Sequence, residues 1–164
     1  MRFQVDHRFP AAPAAVAALM VDAEFQQRVE LPDLALPTVV AHARSGEGAR
    51  LVLRYEYVGS LDPIARRVIG KRKLTWLQTL ELDVSNGRGR LSIVAEADPD
   101  RLHAEATVAL SADGLAATVR SIAGDFSVEV PLVGGTAERR ILPGVIRRLD
   151  VEAAAVAAQL GGAA

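Results

Sequence analysis

The sequence predicts an α+β fold: a curved antiparallel sheet of about seven strands with one long C-terminal helix laid across it. Three observations predict it. Segments that alternate apolar and polar residues, the period of a half-buried strand, follow one another through the middle of the chain with turn residues between them. A single strand and two short helical segments precede that series. An alanine-rich stretch with apolar residues every three or four positions ends it. At 164 residues, 50% of them hydrophobic, the chain reads as one domain, 1–164, with room for a real core.

The first segment alternates Phe3, Val5, His7 and Phe9 with Arg2, Gln4, Asp6 and Arg8, and Pro10 stops it. Pro13 is tolerated in the first turn of a helix, whose short apolar stripe is Val16, Leu19 and Met20. Asp22 is placed to cap a second short helix through about Val29. Leu31-Pro32-Asp33 and Leu36-Pro37 then force extended chain. Thr38 to Arg44 reads as a strand ending in the turn cluster Ser45 to Gly48. Arg50 to Val58 sets Leu51, Leu53, Tyr55 and Tyr57 on one side. Gly59 to Gly70 is a longer connection with one helical turn after Pro63. Lys73 to Val84 sets Leu74, Trp76, Gln78, Leu80 and Leu82 on one face, and Asn86-Gly87 is a strong hairpin signal. Arg90 to Ala97 and Leu102 to Leu110 flank the turn Asp98-Pro99-Asp100. Asp113-Gly114 leads into a long strand, Leu115 to Val130, bulged or bent near Gly124.

Beyond Pro131 the period changes. Ile141, Val145, Leu149, Ala153, Val156 and Leu160 form one helical face, with Glu138, Arg140, Arg147, Arg148 and Glu152 largely off it. A helix from Thr136 to Leu160 would be roughly 37 Å long, enough to cross a sheet. Pro143 removes a hydrogen bond and crowds the carbonyl of Arg139, which predicts a kink there or a start near Leu142.

The inward faces of the strands make an apolar concave wall. Ala95, Ala104, Ala106 and Ala117 leave volume on it, and His7, Gln78, Ser121 and the hydroxyls of Tyr55 and Tyr57 punctuate it. An apolar wall with sparse polar groups is the composition of a ligand cavity. The candidate lining is His7, Tyr55, Tyr57, Trp76, Gln78, Ala106 and Ser121 from the sheet, with Val145 and Leu149 from the helix. Close packing of an alanine-rich helix on an alanine-rich sheet would instead fill the same space. Each polar group also has a plainer reading: His7 as a core-edge histidine, Gln78 as a partner for a strand bulge, Trp76 as a core filler.

Several chemistries are disfavoured. There is no cysteine, so thiol nucleophiles, thiolate metal sites and disulfides are excluded. His42 and His103 have no metal-ligand spacing, and the inward register holds no Asp or Glu for a paired-carboxylate site; no metal or cofactor is expected. A formal charge of -1 supplies no general field for nucleic acid. Arg66, Arg67, Lys71, Arg72 and Lys73 form a basic cluster, but no aromatic residues interleave them. The opening residues hold no apolar signal core and no stretch is long enough to span a bilayer, so the cytoplasm is the expected location.

The element order, with Phe9-Pro10 and Ala12-Pro13-Ala14-Ala15-Val16 at the first strand-to-helix step, resembles the helix-grip superfamily. That superfamily includes START lipid-transfer domains, the birch-pollen allergen and polyketide cyclases (SRPBCC). Phe3 to Phe9, Leu74-Thr75-Trp76, and Val130-Pro131-Leu132-Val133-Gly134-Gly135 followed by Glu138 are similar to an actinobacterial family of unknown function within it. Ala12 departs from the usual Ser helix cap, and Pro143 interrupts a helix that is usually continuous. The resemblance implies a hydrophobic cavity between sheet and terminal helix and supplies no catalytic residue. The leading expectation is binding of a small apolar or amphipathic molecule there. The alternatives are a cyclase, dehydratase or lyase using His7 with Tyr55 or Tyr57, and a protein-interaction module using the Arg66–Lys73 cluster.

Overall fold

The computed structural model describes residues 1–162, so the last two positions of the expected domain lie outside the described residues. In chain order the elements are β1 (Arg2–Phe9), α1 (Pro13–Met20), α2 (Ala23–Gln26), β2 (Thr38–Ser45), β3 (Gly48–Glu56), α3 (Pro63–Ile69), β4 (Thr75–Asp83), β5 (Arg88–Ala95), β6 (Leu102–Ala112), β7 (Thr118–Val128) and α4 (Gly134–Gly162). The seven strands form one sheet in the order β1-β7-β6-β5-β4-β3-β2. All neighbours are antiparallel. β1 and β2 are therefore the two edges, and α1 and α2 carry the chain from one edge to the other.

Local chemistry explains most of the boundaries. Pro13 opens α1, and Ala12 gives it no side-chain cap. Asp22 accepts the Phe25 N–H at 3.0 Å and starts α2. Asp62 accepts the N–H groups of Ile64 and Ala65 at 2.8 and 2.9 Å, and Pro63 follows it; this makes α3 a seven-residue helix rather than a single turn. The β4–β5 hairpin pairs Asp83 with Arg88, leaving four loop residues. The Asp83 side chain accepts from Ser85 and Asn86, which holds its carboxyl below the usual carboxylate range, the Ser85 hydroxyl bond first among the causes.

The structure corrects the reading of β7 and removes one of the two readings of the last helix. The register between β6 and β7 runs from Leu102↔Val128 to Ala112↔Thr118 without a shift, so there is no bulge at Gly124. What Gly124 permits is close approach. A Cβ there would sit on the carbonyl oxygen of Glu105 and against Ala106, and one at Gly89 would sit on that of Glu81. Both glycines lie where a neighbouring strand's backbone approaches closely. Without a bulge the inward parity of β7 runs through Thr118, Arg120, Ile122, Phe126 and Val128, all buried, and Ser121 faces the other way. The bulge lies instead in β2, between Val39 and Ala41.

α4 is continuous from Gly134 to Gly162 with Pro143 inside it, so the helix does not begin at Leu142. Leu149, Ala153 and Val156 are buried on the core side, and Ile141, Val145 and Leu160 pack half-buried against the core. Burying a Leu or Val side chain contributes roughly 1.5–3 kcal/mol, and this stripe fixes the helix in the concavity. The face is wider than its apolar members: Arg148 is buried on it and Glu152 half-buried beside it.

Candidate functional site

Two cavities lie between the sheet and α4, and Arg148 lines both. The inner one, about 30 Å3, is bounded by Leu51, Leu80, Leu91 and Ile122 with the polar groups of Gln78, Arg120 and Glu152. That volume suits about one water molecule. The outer one is about 270 Å3. Its walls are the segment Pro32–Leu34, Tyr57, the connection into α3, Ala65 and Ile69 of α3, Trp76 of β4 and the first half of α4. It exceeds the ~150 Å3 cavity that accommodates benzene.

The partition between the cavities is built from three side chains. The rings of Tyr55 and Trp76 stack with centroids 5.6 Å apart and planes inclined by 19°. The guanidinium of Arg148 lies 5.3 Å from the Tyr55 centroid and 5.4 Å from that of Trp76. These are cation–π distances. Arg148 is 7% exposed, and its Nη1 and Nη2 have no hydrogen-bond partner among the described residues. Burial lowers the pKa of this guanidinium, while Tyr55 and Glu152 act the other way. The same burial pushes the Tyr55 hydroxyl up to about 12, against a smaller downward pull from Arg148 and an upward push from Glu152. Trp76 Nε1 and Gln78 Oε1 are likewise buried and unpartnered among the described residues.

A second buried arginine is seated differently. Arg120 is 1% exposed and its Nη1 meets Glu152 Oε2 at 2.8 Å. Its Nη2 donates to His7 Nδ1 at 3.1 Å and reaches the Leu149 carbonyl at 3.5 Å. A guanidinium can only donate, so His7 Nδ1 is the acceptor and the ring proton sits on Nε2. From there it donates to Asp150 Oδ1 at 2.9 Å. The network clamps β1 and β7 to the middle of α4. Its one orphan is Arg120 Nε.

A family model described as a protein of unknown function (DUF2505) matches residues 4–160. The chain belongs to that family. No curated protein matches the DUF2505 chain in sequence. Solved structures resemble it in fold. A protein from Thermus thermophilus is 19% identical with a TM-score of 0.71, over 100% of this chain and 99% of its own. The Zhui aromatase/cyclase from Streptomyces sp. R1128 is 12% identical with a TM-score of 0.69, over 98% and 93%. A START superfamily protein from Mycobacterium smegmatis is 13% identical with a TM-score of 0.58, over 99% of each chain. The architecture of this DUF2505 protein is thus the START/SRPBCC helix-grip fold.

The residues singled out from the DUF2505 sequence divide between several places. Tyr57, Trp76 and Val145 line the outer cavity, and Tyr55, Gln78 and Leu149 the inner one. His7 lines neither, being engaged with Arg120 and Asp150. Ala106 is buried opposite Leu91 and Gly124 and lines neither cavity. Ser121, opposite Asp6 and Ala109, is on the outer face because β7 carries no parity-changing bulge. The Tyr57 hydroxyl donates to the Ser60 carbonyl at 3.1 Å. In the basic cluster, Arg72 pairs with Asp98 at 2.5 Å and Lys73 with Glu56 at 2.7 Å. Sequence reasoning missed Arg120, Arg148 and Glu152. A signal existed for two of them: Val145, Arg148, Leu149 and Glu152 are spaced i, i+3, i+4, i+7, one helical face whatever their polarity.

Proposed function

We propose that this protein binds a small apolar or amphipathic molecule in the outer cavity, between the concave sheet and α4. The observation that carries the reading is a volume of about 270 Å3 whose walls are mainly aliphatic and aromatic, with charged groups from Asp33, Asp62, Arg140, Arg147 and Arg148 among them. A small hydrophobic ligand is the partner in this reading, the cytoplasm its location, and no nucleic acid is involved. Among the described residues no helix is long and apolar enough to cross a membrane.

The enzymatic alternative needs His7 to converge with Tyr55 or Tyr57 on one substrate position. The positions of these groups do not favour it. Tyr55 and Tyr57 line different cavities and His7 lines neither. The interaction-module reading loses two of its five cations to internal ion pairs.

Native mass spectrometry of the purified protein, looking for a small molecule released on activation, tests the binding reading. Gly144→Leu is the matched control. A Cβ at Gly144 meets nothing within 4 Å, and the residue lines the outer cavity. Leucine there should raise stability by about 0.5–1 kcal/mol, because glycine is the poorer helix former. It should also abolish the adduct. An adduct that survives Gly144→Leu would place the ligand elsewhere and end the reading.

A further inference from the structure

Among the described residues, Arg148 is the one charged side chain that is buried and also lines the outer cavity. Arg140 and Arg147 line the same cavity from exposed positions on α4. Two carboxylates face it, Asp33 and Asp62, and Asp62 already accepts two N–H groups at the start of α3. The lining therefore carries three guanidinium groups against two carboxylates, and the deepest charge is positive.

A guanidinium taken out of water without hydrogen-bond acceptors is costly. Stacking against Tyr55 and Trp76 offsets part of that cost through the ring faces, which satisfy no N–H group. Arg120 shows what this chain does when a buried arginine serves the fold alone: a carboxylate, an imidazole nitrogen and a carbonyl are brought to it. Nothing equivalent is brought to Nη1 and Nη2 of Arg148. Two N–H-bearing nitrogens of one planar fork are complementary to the two oxygens of a carboxylate. Trp76 Nε1, a further unpartnered donor, belongs to the same stacked group.

We propose that the ligand carries a carboxylate and that Arg148 is the residue that recognises it, with the apolar remainder of the molecule lying in the outer cavity. This rests on the binding reading above and narrows its ligand to an amphipathic acid. Scaling from a ~150 Å3 cavity that holds six carbons, the apolar part has on the order of ten carbons. Arg140 and Arg147 at the exposed side of the cavity draw such an anion toward it.

Matched acid and amide pairs decide the matter: decanoate with decanamide, and 2-naphthoate with 2-naphthamide, titrated calorimetrically into the full-length protein. In the wild type each acid should bind at least about tenfold more tightly than its amide, the worth of a charge-assisted hydrogen bond. Arg148→Met should erase that preference. It should also leave the melting temperature of the unliganded protein unchanged or higher, because a buried unpaired charge is removed; a purely structural arginine would give the opposite. Should Arg148→Met fold poorly, Arg148→Lys, which keeps the charge and loses the fork, should retain a reduced preference for the acids. Equal affinity for acid and amide in the wild type, or a preference that survives Arg148→Met, overturns the assignment of Arg148 and leaves the cavity reading standing. Failure of all four probes to bind overturns both.

Discussion

Arg120 on β7 and Arg148 on α4 are both nearly out of solvent, and both lie over aromatic rings at the interface of helix and sheet. Around Arg120 the protein supplies Glu152, His7 and the Leu149 carbonyl, and the adjoining inner cavity is about 30 Å3. Around Arg148 it supplies ring faces and a cavity of about 270 Å3. The same residue type is thus used in two ways. Where its hydrogen bonds are closed internally the charge ties elements together. Where they are left open the charge weakens the unliganded fold and is available to another molecule.

The comparison breaks most easily at Glu152. Glu152→Ala leaves Arg120 buried without its carboxylate and should destabilise the protein by about 3–5 kcal/mol in urea unfolding. A loss below about 1 kcal/mol, the range of an exposed pair, would mean that Arg120 is no structural clamp. Second is pH. Tyr55 has a pKa of about 12, raised from 10.0 chiefly by burial. A raised pKa favours the neutral hydroxyl, so this contribution is full below pH 10 and is lost as pH climbs through about 12. The loss is at most ~2–3 kcal/mol. Tyr55→Phe should remove it, and unfolding curves for the two proteins that fall in parallel between pH 10 and 12 would argue that Tyr55 is not in a dry site. The smallest effect is expected at the open end. Asp62→Ala uncaps α3, one wall of the outer cavity, at about 1 kcal/mol. Its mark should be faster amide exchange confined to α3 and the loop before it, whereas Glu152→Ala should speed exchange across the whole sheet.

The sheet and the terminal helix were legible because both rest on periodicity, which local sequence carries. Alternation such as Leu51, Leu53, Tyr55 survives any detail of packing. Parity on β7 was not legible, because a glycine in a strand signals either a bulge or a close approach, and only the backbone of β6 beside Gly124 decides between them. That one choice exchanged Ser121 for Arg120. Arg148 and Glu152 were not legible because the helix face that packs on the sheet is not marked by polarity alone. The rule that charged residues lie outside holds for solvated charges and fails for paired or ligand-facing ones. The cavity volume depends on how α3 and α4 rest on the sheet, which no local pattern encodes.

The irregularity in β2 has a consequence of its own. Val39 pairs with Leu53 and Ala41 with Val52, so Val40 is an extra residue on an edge strand, and it is 53% exposed. A dislocated border is a poor template for strand addition by another molecule. Deleting Val40 would straighten that border into a regular row of free amide and carbonyl groups, and the protein should then self-associate with rising concentration. The single supernumerary valine works as a guard against fibre-like growth.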